Sequence, residues 1–62
     1  MPKYEARIFP KNGILATYWE VYILDTTTGV AYDYVSSYLW SVAQDFFELR
    51  KERADYLNKE GM

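Results

Sequence analysis

The side chains of this chain that could move a proton near neutral pH are carboxylates, because it contains no histidine and no cysteine. That absence removes a Cys/His zinc site, a Ser/His/Asp or Cys/His nucleophile and a c-type haem attachment together. Among the nine carboxylates, Glu20 and Asp33 form the pair that a simple strand register brings diagonally together on one sheet face, within side-chain reach. Two facing carboxylates are the apparatus of a glycosidase or part of a metal site. Glycosidases, however, hold theirs in a walled cleft, which a bare sheet of this size does not provide. Glu20 and Asp33 therefore read as solvated or salt-bridged groups, and the chain is expected to be no enzyme and to carry no metal or cofactor. Asp25-Thr26-Thr27-Thr28-Gly29 could cradle an anion with its backbone, but it has no Lys or Arg to complete a phosphate site and reads as a turn.

The element that must position these groups is the stretch Ile14 to Asp25, ILATYWEVYILD, which alone is long and apolar enough for a central strand. With period two, Leu15, Thr17, Trp19, Val21 and Ile23 fall on one face and are expected to meet the core. The other face carries Ile14, Ala16, Tyr18, Glu20, Tyr22 and Leu24, an unusual set for a surface that meets only water. Lys3 to Phe9 alternates as a half-buried strand, with Tyr4, Ala6 and Ile8 inward. Pro10-Lys11-Asn12-Gly13 supplies a four-residue hairpin loop, which sets Phe9 opposite Ile14, Tyr4 opposite Trp19 and Lys3 opposite Glu20. Asp25 to Gly29 then turns the chain into a third strand. There Asp25 faces Val30, Ile23 faces Tyr32 and Val21 faces Tyr34 on the core side, while Tyr22 faces Asp33 and Glu20 faces Val35 outside.

Ser36 or Ser37 is a natural N-cap, and the chain from Tyr38 to Lys59 holds no Gly or Pro, which predicts one helix of about 22 residues ended by Gly61. Its apolar arc gathers Leu39, Val42, Ala43, Phe46, Phe47, Leu49, Ala54, Tyr56 and Leu57. A helix of this length should overhang a sheet whose paired strands have six or seven residues. Arg50, Arg53, Tyr56 and Leu57 would then face something else, either a second copy in a homodimer or another partner.

The expected architecture is α+β: one domain over residues 1–62, a three-stranded antiparallel meander in order 1-2-3 with a single C-terminal helix across one face (βββα). So short a chain buries only about 60% of its unfolded surface, and with no disulfide its aromatic content of 19% must supply the core. Twelve aromatic residues, seven of them tyrosines, exceed what one small core hides. The surplus lies on the outer face, where Phe9, Ile14, Tyr18, Tyr22 and Leu24 form a patch rimmed by Lys3, Glu5, Arg7, Glu20 and Asp33 in the manner of a protein-binding surface. No apolar run reaches the roughly 20 residues of a membrane span and no signal-peptide pattern opens the chain, so a cytoplasmic protein with no membrane partner is expected.

The order strand, strand, strand, helix resembles the arm-site binding domains of tyrosine recombinases and the GCC-box domains of plant ethylene-response factors. That likeness implies a DNA-facing sheet, yet those families carry several Arg, Lys and Trp residues there. This face offers Lys3 and Arg7 against Glu5, Glu20 and Asp33, and the net charge is −2, so nucleic acid ranks behind a protein as partner. In size and composition the chain also resembles the small inhibitors that phages direct at host enzymes or defence complexes, anti-CRISPR proteins among them. The expected function is thus a non-enzymatic binding module that docks onto a protein. The alternatives are a nucleic-acid-associated regulator and a subunit whose role is assembly.

Overall fold

The computed structural model of the protein describes residues 2–60. Its elements are β1 (Tyr4–Asn12), β2 (Thr17–Asp25), β3 (Ala31–Ser37) and α1 (Trp40–Glu60). The strands form one antiparallel sheet in the order β1-β2-β3 with α1 on one face, the βββα architecture read from the sequence. Gly61, expected to end the helix, lies outside the described residues.

The first hairpin is longer than its turn signals imply. Tyr4 pairs with Asp25, Ala6 with Ile23, Ile8 with Val21, Phe9 with Glu20 and Pro10 with Trp19. The expected pairs Tyr4 with Trp19, Lys3 with Glu20 and Phe9 with Ile14 are therefore wrong. Pro10, Lys11 and Asn12 extend β1, and the reversal falls on Gly13 to Ala16, closed by the Gly13 N–H donating to the Ala16 carbonyl at 3.0 Å. Ile14 and Leu15, expected to open the central strand, therefore sit in the turn, and Leu15 and Thr17, expected to meet the core, are exposed. A Cβ at Gly13 would stand 2.5 Å from that same carbonyl oxygen, so the turn requires glycine there. Moving the turn three residues along the chain changes every pairing sum by six. Because six is even, Tyr4, Ala6 and Ile8 still share a face with Trp19, Val21 and Ile23.

Pro10 is tolerated inside β1 because of which way its nitrogen points. The Lys3 carbonyl accepts the Thr26 N–H at 2.7 Å, whereas the N–H and C=O of Tyr4 turn away from β2 and meet the Asn58 side chain of α1 at 2.9 and 3.0 Å. Even-numbered residues of β1 thus address the open edge, where a proline forfeits no ladder bond. Asn58 gives Tyr4 the donor and acceptor that a further strand would have supplied, and so closes one end of that edge.

The second hairpin begins as expected. Asp25 Oδ1 accepts the Thr27 N–H at 3.0 Å, the Asp25 N–H donates to the Val30 carbonyl at 2.9 Å, and Gly29 takes φ 77°. Leu24 pairs with Ala31 and Ile23 with Tyr32. A bulge then intervenes at Asp33, whose φ is 63°. Beyond it Val21 pairs with Val35, Glu20 with Ser36 and Trp19 with Ser37. One extra residue turns the rest of β3 over. Tyr34 therefore leaves the core face assigned to it and Val35 takes its place.

The helix does not overhang the sheet. Strands of nine residues span about 30 Å and a helix of 21 residues about 32 Å, so the two layers match in length. The α1 helix lies over β1 and β2 more than β3, rolled so that Ala43, Phe47, Arg50, Ala54 and Asn58 follow one line toward the sheet. Ala43 and Ala54 are buried with Val21 and Ile23, and their small side chains let the helix backbone approach. Leu49 and Tyr56, expected in the apolar arc, are rolled outward and exposed, as is Leu39 at the helix entry. Ser37 stands two residues too early to cap the helix itself. Its Oγ instead accepts the Leu39 N–H at 3.0 Å and holds the link into α1.

Candidate interaction surface

The sheet face away from α1 carries a row of rings built across all three strands. Phe9 of β1 stacks on Tyr22 of β2 with centroids 6.2 Å apart, and Tyr22 meets Tyr34 of β3 at 4.9 Å. Alternation in β1 and β2 sets the first two rings outward; the third arrives only because the Asp33 bulge reverses β3. Tyr22 is half-buried beneath its neighbours, while Phe9 and Tyr34 remain 41% and 57% exposed. A second pair, Tyr18 and Tyr38 at 5.7 Å, continues the face toward the first turn.

The charges beside the row nearly balance. Arg7, directly across from Tyr22, donates from Nη2 to Glu5 Oε2 at 2.8 Å, and this bond together with the Glu5 charge raises the guanidinium's pKa above its already high ordinary value. Arg7 is thus a permanent cation already committed to one carboxylate. Glu20 faces Phe9 across the ladder, and Lys11 faces Tyr18. A surface with large rings at its centre and paired charges at its margin suits docking against another macromolecule.

Of the residues expected on this face, Arg7, Phe9, Tyr18, Glu20 and Tyr22 are brought together, and Asp33 is not. The bulge points Asp33 toward the helix, where Arg50 Nη2 lies 3.5 Å from Oδ1 and Arg50 Nε donates to the Asp33 carbonyl at 3.2 Å. The pairing of Glu20 with Asp33 as neighbouring carboxylates is thereby lost. Among the described residues no group of three or more acidic side chains is placed to hold a metal ion.

The same contact corrects the view of the helix end. Arg50 does not project past the sheet but is fixed to β3 and lies over the Phe46 ring at 5.9 Å. Arg53 covers the Tyr56 ring at 5.3 Å and Leu57 is half-buried. Between β1 and α1 runs an open groove of about 230 Å³, lined by Tyr4, Ala6, Phe47, Lys51 and Ala54 among others and closed near one end by Asn58. Trp40, Tyr38 and Asn58 are the residues that sequence reasoning passed over. Asn58 had a signal, an amide on the helix line that carries Ala54; Trp40 and Tyr38 flank a junction whose geometry depends on the bulge. No family model, curated protein or solved structure matches this chain.

Proposed function

We propose that this protein is a non-enzymatic binding module that docks another protein onto the outer sheet face, in the manner of a small inhibitor that occupies a host enzyme or defence complex. The observation that carries the reading is the exposed row Phe9–Tyr22–Tyr34, which crosses the whole sheet and is not required to fill the core. Aromatic rings held rigidly by strand backbone offer large contact area at little entropic cost, and such residues are where interface energy concentrates. With Asp33 turned away, Arg7 and Lys11 stand against Glu5 and Glu20, a near-neutral rim that supports a protein partner over a phosphate backbone.

The test is capture from a host lysate on the immobilised chain, with Tyr34→Ala as the comparison. Tyr34 is half exposed, so its truncation should lower affinity for the captured protein by more than about 1 kcal/mol, roughly fivefold or more, while the thermal midpoint stays nearly constant. Equal capture by both forms would remove the row from the interface. An affinity for duplex DNA that falls steeply with salt would favour the nucleic-acid alternative instead.

A further inference from the structure

A second surface, which meets the outer sheet face at Tyr18 and Tyr38, lies at the end of the molecule where β1 turns into β2 and β3 leads into α1. Ile14 and Leu15 occupy the tip of that turn and are 102% and 94% exposed. Tyr38, Leu39 and Trp40 are exposed at the same end. The two segments form one surface: the Tyr38 hydroxyl is 3.5 Å from where a Cβ on Gly13 would be, Tyr18 touches Tyr38, and the Trp19 and Trp40 rings are 4.5 Å apart. Residues 9–19 and 36–44, which build this end, contain a single charged side chain, Lys11, and none of the chain's nine carboxylates.

We propose that this end inserts into a lipid surface, with Ile14 and Leu15 entering the acyl boundary and Lys11 at the level of the phosphates. The depth profile supports this occupant. Tyr18 and Tyr38 on one side of the sheet, and Trp19 and Trp40 on the other, sit a few strand residues behind the tip, about 7–13 Å. Amphipathic rings favour the headgroup level, and interfacial segments bury their apolar part by roughly 5–10 Å. Carboxylates begin only beyond that belt, at Glu20 and Asp45.

A protein occupant fits less well. The backbone measures 43 × 21 × 16 Å, so a helix of about 32 Å lies near the long axis and the end is narrow. Ile14 and Leu15 stand out from it wholly in solvent, a convex tip rather than the flat patch that a protein interface uses. A bilayer conforms to a convex tip and needs no matching pocket. No helix among the described residues is long and apolar enough to cross a membrane, and the absence of a long apolar run in the sequence likewise addresses spanning alone; a two-residue aliphatic tip leaves no trace in either.

The experiment is co-sedimentation of the full chain with vesicles of phosphatidylcholine alone and of phosphatidylcholine containing about a third phosphatidylglycerol, with tryptophan emission as a second readout. A single myristoyl chain partitions with a constant of about 10⁴ M⁻¹, and Ile14, Leu15 and the exposed Leu39 together carry about one aliphatic carbon fewer than that chain, so half-binding is expected at roughly 0.1–1 mM lipid. Emission should shift to the blue as Trp40 enters the interface. The doubly substituted Ile14→Asp, Leu15→Asp chain should bind at least tenfold more weakly with an unchanged thermal midpoint, since both side chains lie in solvent. Lys11→Glu should weaken binding to the anionic vesicles more than to the neutral ones. No sedimentation at about 5 mM lipid, or equal binding by the doubly substituted chain, would overturn the proposal. So would a stable dimer that those substitutions dissolve in the absence of any lipid binding. Tyr34→Ala, which tests the sheet face, should leave vesicle binding intact, so the two surfaces can fail separately.

Discussion

Replacing Asp33 by valine tests the feature on which the outer face depends. Asp33 is the described non-glycine residue with positive φ, at 63°, a conformation that costs an ordinary L-residue about 1–2 kcal/mol and that Asp and Asn tolerate best. Valine adds a β-branch at that strained position and removes the carboxylate 3.5 Å from Arg50. That partly exposed pair contributes at most about 1 kcal/mol. The sum is a loss of about 1–3 kcal/mol, against a total stability of roughly 3–9 kcal/mol for a domain of this size. Thermal unfolding should move down by roughly 4–24 °C and the urea midpoint by about 1–3 M. The chain's escape is to delete the bulge, which returns Tyr34 to the helix side and sends Val35 out. Either outcome weakens the Tyr22–Tyr34 contact, which proton NMR reads directly as ring-to-ring cross-relaxation. Asp33→Gly, which accepts positive φ freely, should remain within about 1 kcal/mol of the parent with that contact kept. If Asp33→Val unfolds within about 0.5 kcal/mol of the parent and retains the Tyr22–Tyr34 signal, backbone conformation at Asp33 is not what turns β3 over.

Two further perturbations probe the contacts that join the layers. Asn58→Ala removes two hydrogen bonds to the Tyr4 backbone and should cost about 1–3 kcal/mol in denaturant unfolding; it also frees the β1 edge, so light scattering should show more concentration-dependent association than in the parent. Burial, reinforced by the neighbouring Tyr4 and Asp25, raises the pKa of the Tyr32 hydroxyl above its ordinary value of 10.0. The folded state therefore holds that proton more tightly, and this contribution is fully present below about pH 10 and lost as pH rises through the folded pKa. Urea unfolding from pH 8 to 11 should show stability falling less steeply in Tyr32→Phe, and identical slopes would refute the assignment.

Much of the architecture was legible because hydrophobic periodicity is a local property. Alternation in Lys3 to Phe9 and in Ile14 to Asp25 named the residues facing the helix; for Tyr4, Ala6, Ile8, Trp19, Val21 and Ile23 those assignments survive a large error in register because the slip was even, whereas Leu15 and Thr17 lie at the turn and are exposed. The Asp25 to Val30 turn was legible for the same reason, since Asp25 and Gly29 act within their own few residues. The candidate face was legible in part. Phe9, Tyr18 and Tyr22 follow from alternation, but Tyr34 depends on a bulge that no composition rule marks, since Asp is an ordinary turn residue as readily as an αL one.

What the sequence by itself determined, then, is the order of elements, the faces of β1 and β2, and the absence of imidazole and thiol chemistry. Tertiary structure decided which of several even registers is used, where β3 turns over and how the helix is rolled. Period-two alternation is blind to an even slip, so the choice falls to contacts that join distant parts of the chain. The Asn58 amide closes on the Tyr4 backbone and Arg50 closes on Asp33, across separations of 54 and 17 residues. Both need the helix laid on the sheet with Ala43 and Ala54 against it, an arrangement that exists only once the layers have met.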